Sequence, residues 1–410
     1  MASESPRLPR PIRTALRVVA LAVAVFAVAL GVLAAVYSPG YVYRWLAWQD
    51  ADVGDAARFP ERPIAAPDEP FRFSSPDDPE AAGAVVLAAL GEATGRDPVE
   101  FLESTGTQAF LVVRDDTILY EGYLGGFARG DVATSFSVAK SFVSAMVGIA
   151  IEEGLIGGVD DPVTRSLPEL AARDPRFAEI TIGHLLDMTS GLRYRESSVP
   201  WGDDPLTYYF DDLRRLAIEH TEVVGEPGVN WVYNNYNPIL LGMVLERATG
   251  MPVAGYLETR VWRRIGAEFP ASWSLDREDG FEKMESGLNA RPIDFAKLGR
   301  LYLHGGTWDG EQVVPAEWAA ESTDPSLDPP APEYPGSFTR DYGTITHRRY
   351  WWRIGRPDGS HAYAALGNHG QFVFVAPEQG VIVVRNGERY GVPYHEWFRV
   401  FLALADALDR

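Results

Sequence analysis

Lysine is rare in this chain of 410 residues, found only at positions 140, 283 and 297. One of the three stands three residues after a serine, in Ser137-Val138-Ala139-Lys140. At the start of a helix, positions i and i+3 project on one side, so the hydroxyl and the amine can meet. A serine hydroxyl is a weak nucleophile until a base takes its proton. Lysine can be that base where burial lowers its pKa from about 10.4. The unpaired N–H groups of a helix N-terminus can in addition receive an oxyanion. A surface helix start would show the same four residues, because serine is common there. Two further segments carry usable chemistry. Tyr233-Asn234-Asn235 sets a phenol and a carboxamide on one short stretch, and a phenol beside an ammonium is pushed towards phenolate. Ala364 to Gln371 places glycines before the apolar run Phe372 to Val375. Glycine lets a strand backbone approach a ligand closely, and a strand edge can supply an oxyanion N–H. Read singly, these two are an Asn-rich turn and a glycine-containing hairpin.

Other chemistries lack their residues. There is no cysteine, which removes disulfides, thiol nucleophiles and thiolate metal sites together. The seven histidines are scattered without metal-ligand spacing, and neither a His-Glu-x-x-His motif, a Gly-x-Ser-x-Gly elbow nor a glycine-rich phosphate loop with lysine is present. No metal and no cofactor is expected. The formal net charge of −20 argues against a nucleic-acid partner, since phosphate binding needs a basic surface.

The elements that must hold these residues can be read from pattern. Ala84 to Ala93 reads as a helix. Ala109 to Val113 and Thr117 to Tyr123 read as a hairpin around Asp115-Asp116. Ser137 to Glu153 is an apolar-striped helix. The stretch from about 160 to 322 is mainly helical; one of its helices has Asn237 as a possible cap, Pro238 at its first position and Gly250 at its close. Strands return near 343–354 and 361–386, and His395 to Leu408 is a last amphipathic helix. Strands at both ends with helices between predict an α/β (α+β) body. Its antiparallel sheet is made from both chain ends and flanked by helices, and it carries an inserted all-helical subdomain at about 155–325. Arg193 to Asp212 and Thr323 to Arg340 read as long irregular stretches, of a length often found in functional lids.

The N-terminus differs in character. Arg7, Arg10, Arg13 and Arg17 precede an uncharged run from Val18 to Tyr37, whose twenty residues in a helix reach ~30 Å, about one hydrocarbon core. The expectation is a cytoplasmic basic tail (1–17), an uncleaved transmembrane signal anchor (18–37), a proline-rich stalk (38–80) and an extracytoplasmic catalytic domain (81–410). Tyr41, Tyr43, Trp45 and Trp48 suit either the membrane interface or packing on the body.

In combination, the motifs resemble the serine β-lactamase and penicillin-binding-protein superfamily, in the branch of class C β-lactamases, esterases and 6-aminohexanoate-dimer hydrolases. The resemblance runs through Thr181 to Leu192 (TIGHLLDMTSGL), Asn235 to Gly250 (NYNPILLGMVLERATG) and Ala290 to Trp318, and spans roughly 105–390. It implies a β-lactamase-like fold, with Ser137 as the acylated serine, Lys140 as its partner and Tyr233 as the proton shuttle. It also implies substrate or oxyanion roles for Asn235 and Leu366; beside them Gly367 is a further candidate, and His369 either contacts substrate or is a turn histidine. Where β-lactamases have Lys-Thr-Gly, this chain has Tyr363-Ala364-Ala365 or Leu366-Gly367-Asn368, with no cation for a β-lactam carboxylate. The expectation is therefore a serine hydrolase of linear amides or esters. The alternatives are a D-Ala carboxypeptidase or β-lactamase, and a catalytically silent sensor or scaffold. The expected partners are a small-molecule or peptide substrate and, through the N-terminal helix, the membrane.

Overall fold

The computed structural model describes residues 9–327 and 338–410. Arg7 and the 328–337 portion of the Thr323–Arg340 stretch lie outside the described residues. Of the described residues, those within Asp52–Arg195 and Asp212–Arg410 form one compact unit, and those within Met1–Ala51 and Glu196–Asp211 form another.

The larger unit is built on an antiparallel sheet of eight strands. These are β1 (Thr107–Arg114), β2 (Thr117–Tyr123), β3 (Phe338–Arg340), β4 (Gly343–Arg348), β5 (Trp351–Gly355), β6 (His361–Gly367), β7 (Gln371–Ala376) and β8 (Val381–Gly387). Their spatial order is β2-β1-β8-β7-β6-β5-β4-β3, so both chain ends contribute as the sequence predicts. The β1–β2 hairpin turns at Asp115-Asp116, both with positive φ, the geometry that matches strand twist in a two-residue turn. Strands β7 and β8 are buried at every position, because helices cover both faces and an unbroken apolar run is the stable pattern there. On one face α3 (Pro79–Thr94) and the last helix, α7 (Tyr394–Leu408), put Val86, Leu90, Trp397, Phe398 and Phe401 against Phe110, Phe372 and Phe374. On the other lies α6 (Pro292–Leu303). Its Gly299 rests so close to Ile382 that a Cβ would come within 2.7 Å of the Ile382 Cγ2. Between the sheet's two halves in sequence come α4 (Ala139–Glu152) and α5 (Tyr236–Thr249).

Three expectations need correction. The 38–80 segment is not a linker. Glu61–Ile64 pairs antiparallel with Ala271–Ser274 as the edge of a second, four-stranded sheet. Phe73 is buried and Ser74 bridges to Thr117. The prolines that suggested a free extended chain equally suit an edge strand, where a missing N–H costs nothing. Nor is 155–325 all helical: Ala271–Ser274 and Leu288–Ala290 belong to that second sheet, and Thr307–Trp308 pairs with Glu311–Gln312. The cap of α5 is Asn235, not Asn237. The Asn234 side chain accepts from the Tyr236 N–H at 2.9 Å and starts the helix two residues early.

The smaller unit holds α1 (Arg10–Val36), 27 residues long, with mean hydropathy 2.9 over its most apolar window and no buried residue. By length and composition it can cross a membrane. Next comes α2 (Pro39–Trp48), capped by the Ser38 hydroxyl. Tyr41 donates to the Pro200 carbonyl at 2.8 Å, Arg44 to that of Tyr209 and Trp45 to that of Ser198. The stretch expected to be irregular at Arg193–Asp212 contains a helix, Asp203–Tyr209, in which Asp203 and Asp204 stand in the first turn, where the helix dipole favours them.

Candidate active site

The short strand Ala133–Thr134 delivers the chain to a tight turn before α4. The Ser135 N–H donates to the Leu288 carbonyl at 2.8 Å, which fixes the approach. Phe136 then takes φ 42°, in the left-handed region. For an aromatic residue such backbone costs about 1–3 kcal/mol and persists only where packing enforces it. Phe136 is buried, its ring 5.0 Å from that of His369. The turn presents Ser137 at the head of α4, and the helix carries Lys140 back beneath it. Lys140 Nζ donates to Ser137 Oγ at 2.7 Å and to the Glu285 carbonyl at 2.9 Å. The helix is buried from Ala139 to Ala150, and Lys140 is 1% exposed. Burial therefore pushes the Lys140 ammonium down to about 7, against a smaller upward pull from Glu285. A group with that value is charged and neutral in comparable amounts near neutrality, which suits a general base.

Tyr233 arrives on a loop whose path the Thr189-Ser190-Gly191 segment sets. The Gly228 N–H donates to the Thr189 carbonyl at 2.7 Å and the Val232 N–H to the Met188 carbonyl at 2.9 Å. Ser190 Oγ donates to Asn237 Oδ1 at 2.8 Å, tying the same segment to the first turn of α5. The Tyr233 ring then lies over the lysine, with Nζ 5.0 Å from its centroid. Asn235, two residues on, donates to Tyr194 Oη at 2.8 Å; its own Oδ1 is buried with no hydrogen-bond partner among the described residues.

The opposite wall is the end of β6. Strand β5 pairs with β6 only from His361 to Ala364, while β7 pairs as far as Gly367. One edge of Ala365-Leu366-Gly367 is thus left unpaired by β5, and the Ser137 turn packs here. A Cβ on Gly367 would overlap the Ser135 carbonyl oxygen and stand 3.1 Å from the Phe136 Cβ. Glycine at 367 lets strand and turn touch.

The beta-lactamase family model matches residues 99–389, most of the chain. The chain belongs to the beta-lactamase family. The 6-aminohexanoate-dimer hydrolase of Paenarthrobacter ureafaciens is 30% identical over 308 residues, covering 69% of this chain and 73% of that protein. Esterase EstB of Burkholderia gladioli is 35% identical over 146 residues, 32% of this chain and 36% of the esterase. Among solved structures, a Bacillus anthracis protein provisionally named a 6-aminohexanoate-dimer hydrolase superposes with a TM-score of 0.72 at 23% identity, covering 86% of this chain and 90% of that one; that similarity speaks for the fold. The chain is accordingly an enzyme of the serine hydrolase class, with amide- and ester-cleaving relatives.

Ser137 and Lys140 thus share a hydrogen bond, the Tyr233 ring lies over Lys140, and Asn235, Leu366 and Gly367 lie on elements that flank them. The His369 Nδ1 pairs with the Glu388 carbonyl at 2.7 Å and its ring lies 5.0 Å from that of Phe136, beside the Ser137 turn. Ser141 donates to the Tyr350 carbonyl at 2.8 Å and Ser144 accepts from Trp318, the packing roles expected of them. Glu196, Trp201, Asp203 and Asp204 fall in the smaller unit. Two residues beside the site, His347 and Tyr390, had no signal in sequence. The His347 ring lies 6.1 Å from that of Tyr233 and 5.7 Å from that of Trp231. Burial, then the charges of Arg353 and Lys140, push His347 down to about 3, so it is neutral. Tyr350 is driven well above its ordinary value by burial and then by Tyr233. Tyr390 donates to the Gly367 carbonyl at 3.0 Å. These groups leave the wall aromatic and uncharged, and only packing in three dimensions brings them together.

Proposed function

We propose that the chain is an amidase or esterase that works through an acyl-enzyme on Ser137. The observation that carries this reading is the 2.7 Å bond between Ser137 Oγ and a Lys140 buried enough to lose its proton near neutrality. Neutral Lys140 receives the Ser137 proton as Oγ attacks the substrate carbonyl carbon. The Oγ–carbon bond forms and the carbonyl oxygen takes the negative charge. The N–H groups of Ser137 and Leu366 receive that oxyanion, a contribution of about 3–4 kcal/mol per donor in comparable sites. Tyr233, beside the lysine, passes the proton to the leaving amine or alkoxide as the carbon–heteroatom bond breaks. Water, deprotonated by the same pair, then releases the acid and restores the serine. Asn235 Oδ1, buried and without a hydrogen-bond partner among the described residues, accepts from a substrate amide N–H in this scheme. The wall at β6 has no Lys or Arg between Tyr363 and Gln371, which favours linear, uncharged acyl groups over β-lactams, whose carboxylate needs a cation.

The test is fluorophosphonate labelling followed by peptide mapping. Ser137 is the expected site, and Ser137→Ala is expected to abolish labelling while leaving the circular dichroism spectrum unchanged. Labelling that persists in the variant removes Ser137 from the scheme. A panel of nitrophenyl esters, linear amides and nitrocefin separates the readings: nitrocefin turnover at rates matching the esters would favour the β-lactamase alternative, and no turnover on any of them the silent one. We also read α1 as a signal anchor, with Arg10, Arg13 and Arg17 on the cytoplasmic side and the catalytic unit outside. Protease shaving of intact cells should release an active fragment.

A further inference from the structure

Beneath Lys140 lies a second pair of buried ionisable groups that the proposed mechanism does not use. Lys283 Nζ stands 3.0 Å from Glu285 Oε1, with both side chains 2% exposed. Ser286 Oγ donates to the same oxygen at 2.7 Å. The other oxygen, Glu285 Oε2, is buried without a hydrogen-bond partner among the described residues. The backbone carbonyl of this same Glu285 holds Lys140 Nζ. A buried ion pair is costly to assemble, and a hydrophobic pair of equal volume often does as well. A pair placed one hydrogen bond from the candidate base therefore calls for a reason in chemistry.

We propose that the Lys283–Glu285 pair is a positioning device that sets the charge state of Lys140. This rests on Lys140 acting as the base. The groups that face Lys140 are Ser137 on its own helix, Tyr233 from the loop before α5, His347 from β4 with Arg353 behind it, and Glu285 from the loop before α6. His347 is neutral, so Glu285 is the carboxylate that acts on the lysine. Left alone, that carboxylate would hold Lys140 as a permanent ammonium, unable to receive a proton. Left alone, Lys283 would repel the Lys140 charge and strip it of its proton well below neutrality. With Lys283 at 3.0 Å from its carboxylate, the pull of Glu285 on Lys140 is offset, and burial dominates. The consequence is a sign pattern. Glu285→Gln lowers the Lys140 midpoint, Lys283→Met raises it, and the double variant returns close to wild type.

Because the chain has three lysines, labelling the whole protein with [ε-13C]lysine gives three resonances, assigned by the spectra of Lys140→Arg and Lys283→Met. The expected result is a Lys140 midpoint near neutrality in the wild type. It should move down by about half a pH unit or more in Glu285→Gln and up by a similar amount in Lys283→Met. The acid limb of ester kcat/KM should move with Glu285→Gln in the same direction, a response that loose packing alone does not produce. A folded single variant with the wild-type midpoint overturns the proposal. Should neither single variant fold, the wild-type spectra decide: the Lys283 resonance must show a step at the Lys140 midpoint, because both share Glu285, and its absence overturns the proposal equally. A wild-type Lys140 that titrates only above pH 9 instead removes the lysine base itself, and with it the proposed function.

Discussion

The value of about 7 for Lys140 fixes the shape of the pH–rate profile. Acylation needs the neutral amine. Below the midpoint its fraction falls tenfold per pH unit, so kcat/KM at pH 6 should be about one-tenth of its plateau and at pH 5 about one-hundredth. His347, held near 3, stays neutral throughout this window and adds no limb of its own. The same shift has a sign in stability. The folded value lies below the ordinary 10.5, so between these two values the unfolded chain binds a proton that the folded chain does not. Stability from this group is therefore absent below about pH 7 and accrues as pH rises to the unfolded value. A shift of that size corresponds to as much as about 5 kcal/mol. Replacing the lysine should remove the penalty: Lys140→Met should be inactive but more stable than wild type at pH 6, with the difference shrinking towards pH 10. Steady-state hydrolysis of a nitrophenyl ester from pH 5 to 9, with urea melts of both proteins at the two pH extremes, measures both. A profile flat across that range, or a Lys140→Met that is less stable than wild type at pH 6, refutes the reasoning from burial to basicity.

Other residues give sharper single tests. Tyr233→Phe keeps the ring over Lys140 but removes the proton carrier; kcat should fall about 10²–10⁴-fold with little change in KM on esters of equal leaving group. Gly367→Ala drives a methyl into the Ser135 carbonyl and the Phe136 side chain, so it should depress kcat by parting the strand from the Ser137 turn; an unchanged kcat with phosphonate labelling at the wild-type rate would show that this contact does not position the oxyanion donor. Ser190→Ala leaves Asn237 Oδ1 buried without its donor and should cost about 1–3 kcal/mol in urea melts.

Much of this site could be read from the chain because its members are local. Ser137 and Lys140 are one helical turn apart, and Tyr233 and Asn235 share one short loop. The sheet from both chain ends was also legible, since Phe372 to Val375 in β7 and Val381 to Val384 in β8 are uninterrupted apolar runs and only a sheet covered on both faces asks for them. The 38–80 segment misled for a physical reason: proline marks extended backbone without saying whether that backbone is free or paired at a sheet edge. Asn237 misled similarly: three asparagines stand close together, the helix starts after Asn235, and the Asn234 side chain accepts from its first N–H. The aromatic neighbours of Tyr233 were invisible. His347 and Tyr390 come from β4 and from beyond β8, and no spacing rule joins them to residue 233.

Rarity singled out Lys140 from sequence, yet rarity applies equally to Lys283 and Lys297, and both of these are buried too. What separates the three is the company each keeps. Lys297 Nζ donates to the carbonyls of Phe71 and Gly266 at 2.9 and 2.6 Å and has the Asp294 carboxylate at 3.2 Å. Burial pushes this ammonium down as well, but three acceptors, one of them charged, oppose that push and pin the 61–74 segment to the body. Lys283 has Glu285. Lys140 has one hydroxyl and one carbonyl, both uncharged, and the nearest carboxylate is already engaged by Lys283 and Ser286. An ammonium so placed loses hydration without full compensation, and its neutral form loses much less. A lysine becomes a base where the fold supplies a hydroxyl to take a proton from and commits the neighbouring carboxylate elsewhere.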